Sequence, residues 1–196
     1  MKSVLDLAQI GQGMYNISRM YKVLRPDLTG CNWDKLVWEK WAAPKHKFIG
    51  WIAWHNRLMT RDRLLRFGAP TEASCLLCGD VQEDHEHLFF KCKYSKMIWK
   101  EVSNWLDTRI KLVNLASARR AIRRVKKDLC RRVLHMCILA CIYQIWMSRN
   151  TALWEQKIFC IHTVVKSIKF DIVTRLRNMN TRKIAKENRE WIDKLV

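Results

Sequence analysis

Cys75-Leu-Leu-Cys-Gly79, followed by His85-Glu-His-Leu-Phe-Phe-Lys-Cys92, has the spacing C-x2-C-x8-H-x4-C when His87 is taken as the histidine. Three thiolates and one imidazole complete the tetrahedral shell of a zinc ion. A complete shell is structural, because no position is left for water or substrate. Two cysteines separated by two residues suit a tight loop, and Gly79 directly after the second lets the backbone turn without a Cβ penalty. His85 is the alternative histidine. His87 is preferred because Leu88, Phe89 and Phe90 follow it and can pin the ligand to an apolar core. One structural zinc ion held by Cys75, Cys78, His87 and Cys92 is therefore expected. Metal binding should supply much of the segment's stability, on the scale of the roughly 10–16 kcal/mol known for small zinc peptides.

Outward from this stretch, 196 residues with 49% apolar content can form one or two small domains. Only six Gly and three Pro interrupt a chain rich in Leu, Ile, Met, Lys and Arg, so the expected class is mainly α. The first ten residues carry charge at Lys2 and Asp6, unlike a secretory leader, so the eight cysteines fit a reducing compartment, nucleus or cytoplasm. Cys31, Cys130, Cys137, Cys141 and Cys160 read as buried free thiols, and His135 and His162 as ordinary polar positions. The most apolar run, Val133 to Trp146, is interrupted by His135 and Gln144 and is short for a bilayer span. It reads as a buried central helix, with no membrane partner.

The formal net charge is +19, and it is unevenly distributed. Residues 1–70 hold 12 basic and 5 acidic side chains, residues 71–107 hold 4 and 7, and residues 108–196 hold 21 and 6. A polyanion such as RNA or DNA is the expected partner, because such a field raises both affinity and encounter rate for phosphates. The segment with the zinc motif is itself acidic, so it should organise the fold while flanking helices make the contacts. The densest basic cluster is Arg119, Arg120, Arg123, Arg124, Lys126, Lys127, Arg131 and Arg132, opposed only by Asp128. Ile122, Val125, Leu129, Val133 and Met136 recur through it at helical spacing, which predicts one amphipathic basic helix.

Further helices are expected from local signals. Trp33, Leu36, Val37 and Trp41 share one helical face that Pro44 ends, and Phe48, Trp51, Ile52, Trp54 and Leu58 begin a second. Thr60 can cap a short helix Arg61 to Phe67, closed by Gly68 and Pro70. After the zinc loop, Tyr94, Ile98, Val102 and Trp105 define another face. Ser148-Arg149-Asn150 reads as a polar interruption after the central helix. Ile161, Val164, Val165, Ile168, Ile172 and Leu176 mark a last amphipathic helix, and the charged tail from Asn180 should fray. The tryptophans are expected to be core rather than base-stacking platforms, because they fall at helical spacing.

Several stretches together resemble the reverse-transcriptase zinc-binding domain found toward the C-terminus of plant LINE-type, non-LTR retrotransposon polyproteins. They are Trp33-x4-Trp38, Ala43-Pro-Lys-His-Lys-Phe-Ile-Gly-Trp51, Arg57-Leu-Met-Thr-Arg-Asp-Arg-Leu64, the Cys75 and His85 stretches quoted above, and Tyr94-Ser-x3-Trp99. The likeness covers about residues 15–107, and Ile142-Tyr-Gln-Ile-Trp146 with Arg149-Asn150 resembles the helical segment that commonly follows. By this resemblance Cys75, Cys78, His87 and Cys92 are the zinc ligands. Asp84 departs from the small hydroxyl residue often found there.

The expected organisation is a lead-in segment over 1–30, the zinc-binding domain over 31–107 and a basic helical C-terminal region over 108–196. Met1 and the end at Val196 suggest a free-standing fragment of such a polyprotein. The chain has no Tyr-x-Asp-Asp-like polymerase site, no carboxylate cluster suited to two metal ions and no nucleotide-binding glycine loop, so no catalysis is expected. The expected function is non-enzymatic binding of RNA or DNA with weak sequence specificity, through the basic helices. The alternatives are a protein-interaction module, with a reverse transcriptase domain as one partner, or a functionless retroelement remnant. Exposure of Trp33, Trp38 or Trp99 in an apolar patch would favour protein interaction. Oligomeric state is not encoded in any recognisable signal.

Overall fold

Pro44 opens the first helix, α1 (Pro44–Trp54), where its missing N–H costs nothing and its fixed φ favours helical entry. The computed structural model describes residues 37–108 and 112–178 together with Trp191 and Leu195. The expectations for residues 1–30, Cys31, Trp33 and Leu36 lie outside them. The remaining helices are α2 (Arg61–Arg66), α3 (Lys93–Trp105), α4 (Leu115–Arg124), α5 (Asp128–Glu155) and α6 (Ile161–Arg177), with a π-helical turn, His87–Lys91, ahead of α3. The fold is mainly α. Among the described residues the only β feature is an antiparallel bridge between Ser74 and Gln82.

α5 is the axis of the core, in contact with α1, α3, α4, α6 and the π turn. Its inner residues, from Leu129 through Ile145 to Ala152, are buried. At 28 residues it is long and apolar enough to cross a bilayer, more than the 14-residue run suggested, but 72% of its most apolar window is covered by the other helices. Cys137 and Cys141 lie fully buried within it, and burial pushes both thiols well above their ordinary pKa. Cys160 is instead exposed and Cys130 half-buried. His135 is also buried, with Nδ1 3.4 Å from Glu39 Oε2.

Four local expectations are revised. First, the inward face of α1 is His46, Gly50 and Ala53, while Phe48 is 56% exposed and Trp51, Ile52 and Trp54 are half-buried. α5 approaches too closely for larger residues, since a Cβ on Gly50 would lie 2.6 Å from Leu139 Cδ2. Second, the basic stretch is two helices. Asn114 and Ser117 form a capping box that starts α4, the chain becomes extended at Val125, and Asp128 in the first turn of α5 complements the new helix dipole. Third, α5 continues through Ser148-Arg149-Asn150 to Glu155. Fourth, the tail from Asn180 lies outside the described residues except for Trp191 and Leu195, which are packed: Leu195 is buried, its carbonyl accepting from Trp105 Nε1 at 3.1 Å, and Trp191 lies against the core.

α3 and α6 follow their expected patterns, whereas α2 ends at Arg66, and Thr60, at its N-cap, donates its hydroxyl to Asp62 Oδ1 instead of accepting from a backbone N–H. Gly68 closes the α2 segment at φ +76°, which only glycine adopts without strain. Tyr94, Ile98 and Val102 of α3 are buried, as are Val164, Val165, Ile168, Ile172 and Leu176 of α6.

Arg149 is polar yet continues the helix because it has a buried partner. Its Nε donates to Glu83 Oε1 at 3.0 Å, and its Nη2 lies 2.9 Å from the same oxygen. The side chains are 2% and 0% exposed. Glu83 also accepts from the Arg61 and Leu76 N–H groups, its carbonyl accepts from Asp62, and its N–H donates to Ala73. One residue thereby joins the start of α2, the zinc loop and α5. Removing one member of such a pair leaves a buried charge uncompensated, so Arg149→Met should cost about 3–5 kcal/mol in urea unfolding of the zinc-loaded protein. The Glu83→Gln/Arg149→Met double variant should recover part of that loss, because no buried charge remains.

Candidate metal centre

The zinc loop is built by backbone hydrogen bonds before any side chain is considered. Cys75 N–H donates to Val81 O at 2.7 Å, and Glu83 N–H to Ala73 O at 2.8 Å, closing a short hairpin. At its tip Gly79 N–H returns to Cys75 O at 2.7 Å, with Gly79 at φ +71°. This turn puts Cys75 and Cys78 on one side.

The second pair poses a different problem. Residues five apart on an α-helix point about 140° away from each other. Between His87 and Cys92 the chain takes the wider π turn, in which Cys92 N–H donates to His87 O at 2.7 Å. That turn has its own supports. Asp84 Oδ1 accepts from His87 N–H at 2.6 Å, so the residue that departs from the family pattern still serves as a helix N-cap. Ser95 Oγ donates to Leu88 O at 2.5 Å and Trp99 Nε1 to Phe89 O at 2.6 Å. Tyr94 OH donates to Phe159 O at 2.8 Å, tying α3 to the segment before α6. Within the Tyr94-Ser-x3-Trp99 pattern, Ser95 and Trp99 are thus donors that secure the turn, and Tyr94 anchors α3 to the segment before α6.

The four side chains meet. Sγ of Cys75, Cys78 and Cys92 and a ring nitrogen of His87 lie within 4.8 Å of one another. Cys75 Sγ is 4.0 Å from Cys92 Sγ, and Cys78 Sγ is 3.3 Å from His87 Nε2. Zn–S bonds of about 2.3 Å in a tetrahedron put sulfurs about 3.8 Å apart, so the donor set fits zinc. A sulfur separation of 4.0 Å also excludes a Cys75–Cys92 disulfide. His85 lies outside the cluster, packed 4.8 Å from the Phe89 ring, and burial pushes its pKa down to about 4.

The electrostatics favour ligation. Burial lowers the His87 pKa, against the pull of Asp84 and Glu83, and so keeps the imidazole neutral with a lone pair to offer. A hydrogen bond from Cys75 holds the Cys92 thiol below its ordinary value, aided by the Ser95 and Tyr94 N–H groups at the start of α3. The same bond pushes Cys75 up, so without metal the two sulfurs hold a proton that zinc would displace.

These features define a zinc-binding module with one structural zinc ion. Residues 15–99 match the zf-RVT family, zinc-binding in reverse transcriptase, and the match supports a reverse-transcriptase zinc-binding domain over that stretch. No curated protein and no solved structure matches the chain.

The candidate polyanion contacts span the end of α4, the connection to α5 and the first turn of α5. Arg120, Arg123, Arg124, Lys126 and Lys127 are exposed around the α4–α5 junction, and Arg119 is half-buried. Arg131 and Arg132 both pair with Asp128, and Arg132 also reaches Glu39 at 3.3 Å and lies 4.8 Å over the Trp41 ring. Trp38 is 55% exposed, whereas Trp99 is buried.

Cobalt substitution should give one tetrahedral thiolate-rich centre per chain. His87→Asn should weaken cobalt affinity and shift the d–d bands while the thiolate charge-transfer band of bound cobalt remains, and His85→Asn should change neither. Titration with acid should release the metal, because thiolates that gain protons no longer bind it; chelation at neutral pH should loosen the 75–92 segment, read as faster amide exchange.

Proposed function

We propose that the chain is a non-enzymatic module derived from a plant LINE-type retrotransposon polyprotein, and that it binds RNA or DNA with weak sequence specificity. The observation that carries this reading is the gathering of Arg120, Arg123, Arg124, Lys126 and Lys127 on the exposed α4–α5 junction of a chain with net charge +19. Like charges at such density repel one another, and phosphates relieve that repulsion while releasing counterions. Arg131 and Arg132, already paired within the fold, are secondary contacts. The non-enzymatic part is supported by a donor set that fills the zinc shell, leaving no position for water activation. The longer motif likeness, from Ala43 to Trp99, supports the retroelement origin. Cysteine ligands that must stay reduced favour the nucleus or cytoplasm, away from membranes.

A protein-docking role has its own support in Trp38, at 55% exposure, and Trp154, at 79%. A reverse transcriptase domain is the natural partner in that case.

Fluorescence anisotropy of the zinc-loaded chain on single-stranded RNA, single-stranded DNA and duplex DNA, each over a salt series, separates these readings. Micromolar or tighter binding with a steep salt slope is expected. Replacing Arg120, Arg123, Arg124, Lys126 and Lys127 with Ala should weaken it and flatten the slope by about 0.9 for each phosphate of duplex DNA that is no longer neutralised. Unchanged affinity in that variant would remove the junction from the interface, and absence of binding at low salt would leave protein docking as the better function.

A further inference from the structure

Cations also gather on the outward face of α6. With about 100° between successive residues, His162, Lys166, Lys169, Phe170, Val173 and Arg177 fall on one side of the helix, opposite the buried Val164, Ile168 and Ile172. Lys166 and Arg177 are exposed, and neither pairs with a carboxylate among the described residues. Asp171, the one acid in the helix, lies on the flank toward α1, 3.6 Å from Lys45 Nζ and 3.2 Å from His46 Nε2. Phe170 stands within the stripe at 69% exposure, one turn after Lys166, and no other ring packs on it among the described residues.

The stripe ends beside the α4–α5 junction. α5 and α6 pack together, and Arg175 Nη1, in the last turn of α6, donates to Trp41 O at 3.4 Å. Arg132, near the start of α5, lies over the ring of the same tryptophan. The C-terminal end of α6 and the N-terminal end of α5 therefore meet at Trp41, which brings Arg177 toward basic residues some 50 positions earlier in the chain. From Arg177 back to Lys166 the stripe runs about 16 Å along the helix.

We propose that the outer face of α6 carries a single-stranded nucleic acid onward from the α4–α5 junction, with one base against the Phe170 ring and the phosphates on either side of it at Lys166 and Arg177. The proposal rests on the nucleic-acid reading above and adds to it a second surface and a place for a base. In a duplex the bases are stacked on one another, whereas a single strand has base faces to offer. An open aromatic ring set among unpaired cations matches such a base and its backbone, the two contacts that sequence-tolerant single-strand binders combine.

The test compares octathymidylate with an octamer of abasic deoxyribose phosphates, which keeps the phosphates and lacks the bases, on the zinc-loaded full chain. Octathymidylate should bind at least about fivefold tighter, the lower end for one stacked base. Phe170→Ala, at an exposed position, should lower that preference by at least about fivefold and leave abasic affinity unchanged, and Phe170→Trp should keep it. Lys166→Ala/Arg177→Ala should weaken both probes and flatten the salt slope by about 0.7 for each phosphate of a single strand no longer neutralised. Equal binding of the two probes by the native chain, a preference that survives Phe170→Ala, or an unchanged salt slope in Lys166→Ala/Arg177→Ala would overturn the α6 surface while leaving phosphate binding at the α4–α5 junction intact. Binding of neither probe would overturn the nucleic-acid reading and the α6 surface with it.

Discussion

Two zinc ligands five residues apart must face the same ion, and an α-helix would point them apart. The π turn at His87–Lys91 meets that constraint, and much of the surrounding structure serves it. A π turn is a costly conformation kept mainly where a site demands it. Here its carbonyls are satisfied by Cys92 N–H, Ser95 Oγ and Trp99 Nε1, and its entry is capped by Asp84. Leu88, Phe89 and Phe90 offset the cost of ordering by entering the core, where all three are buried. Zinc and core hold each other: the metal fixes the turn, and the turn delivers three large apolar side chains.

The loop's second anchor is electrostatic. A buried carboxylate is unfavourable unless several donors surround it. Glu83 meets that condition with two backbone N–H groups and the Arg149 guanidinium. The pair spends desolvation energy to fix register: an apolar contact between the loop and α5 could slide, whereas an Arg–Glu contact with these partners has one geometry.

Local chemistry is what the chain makes readable. The ligand spacing, the glycine after Cys78, the start and stop of α2 and the apolar stripes of α3 and α6 depend on neighbours within about two turns. The Glu83–Arg149 pair spans 66 residues, so in the sequence Arg149 resembles a break in the helix it continues. On α1, apolar size is a poor guide to burial. At Gly50 a Cβ would meet Leu139 of α5, Ala53 is buried beside it, and the large aromatics lie on the flanks. The break between α4 and α5 is masked because Ile122, Leu129 and Val133 keep a helical rhythm across it. Its cue is Asp128, the one acid in the basic run and the natural first-turn residue of a new helix.

The same contacts bear on how far the zinc-binding unit extends. Within the stretch that matches the family, Glu83 needs a cation, Tyr94 OH needs an acceptor, and the small-residue face of α1 needs a close partner. All three are supplied from beyond residue 99, by Arg149, by Phe159 O and by Leu139. A fragment ending at residue 99 would therefore hold a full ligand set but expose a charge that nothing compensates and a helix face with no large side chain to cover it. Zinc binding and folding are separable in that sense. The ligands are local, and the surroundings that keep them rigid include the central helix α5.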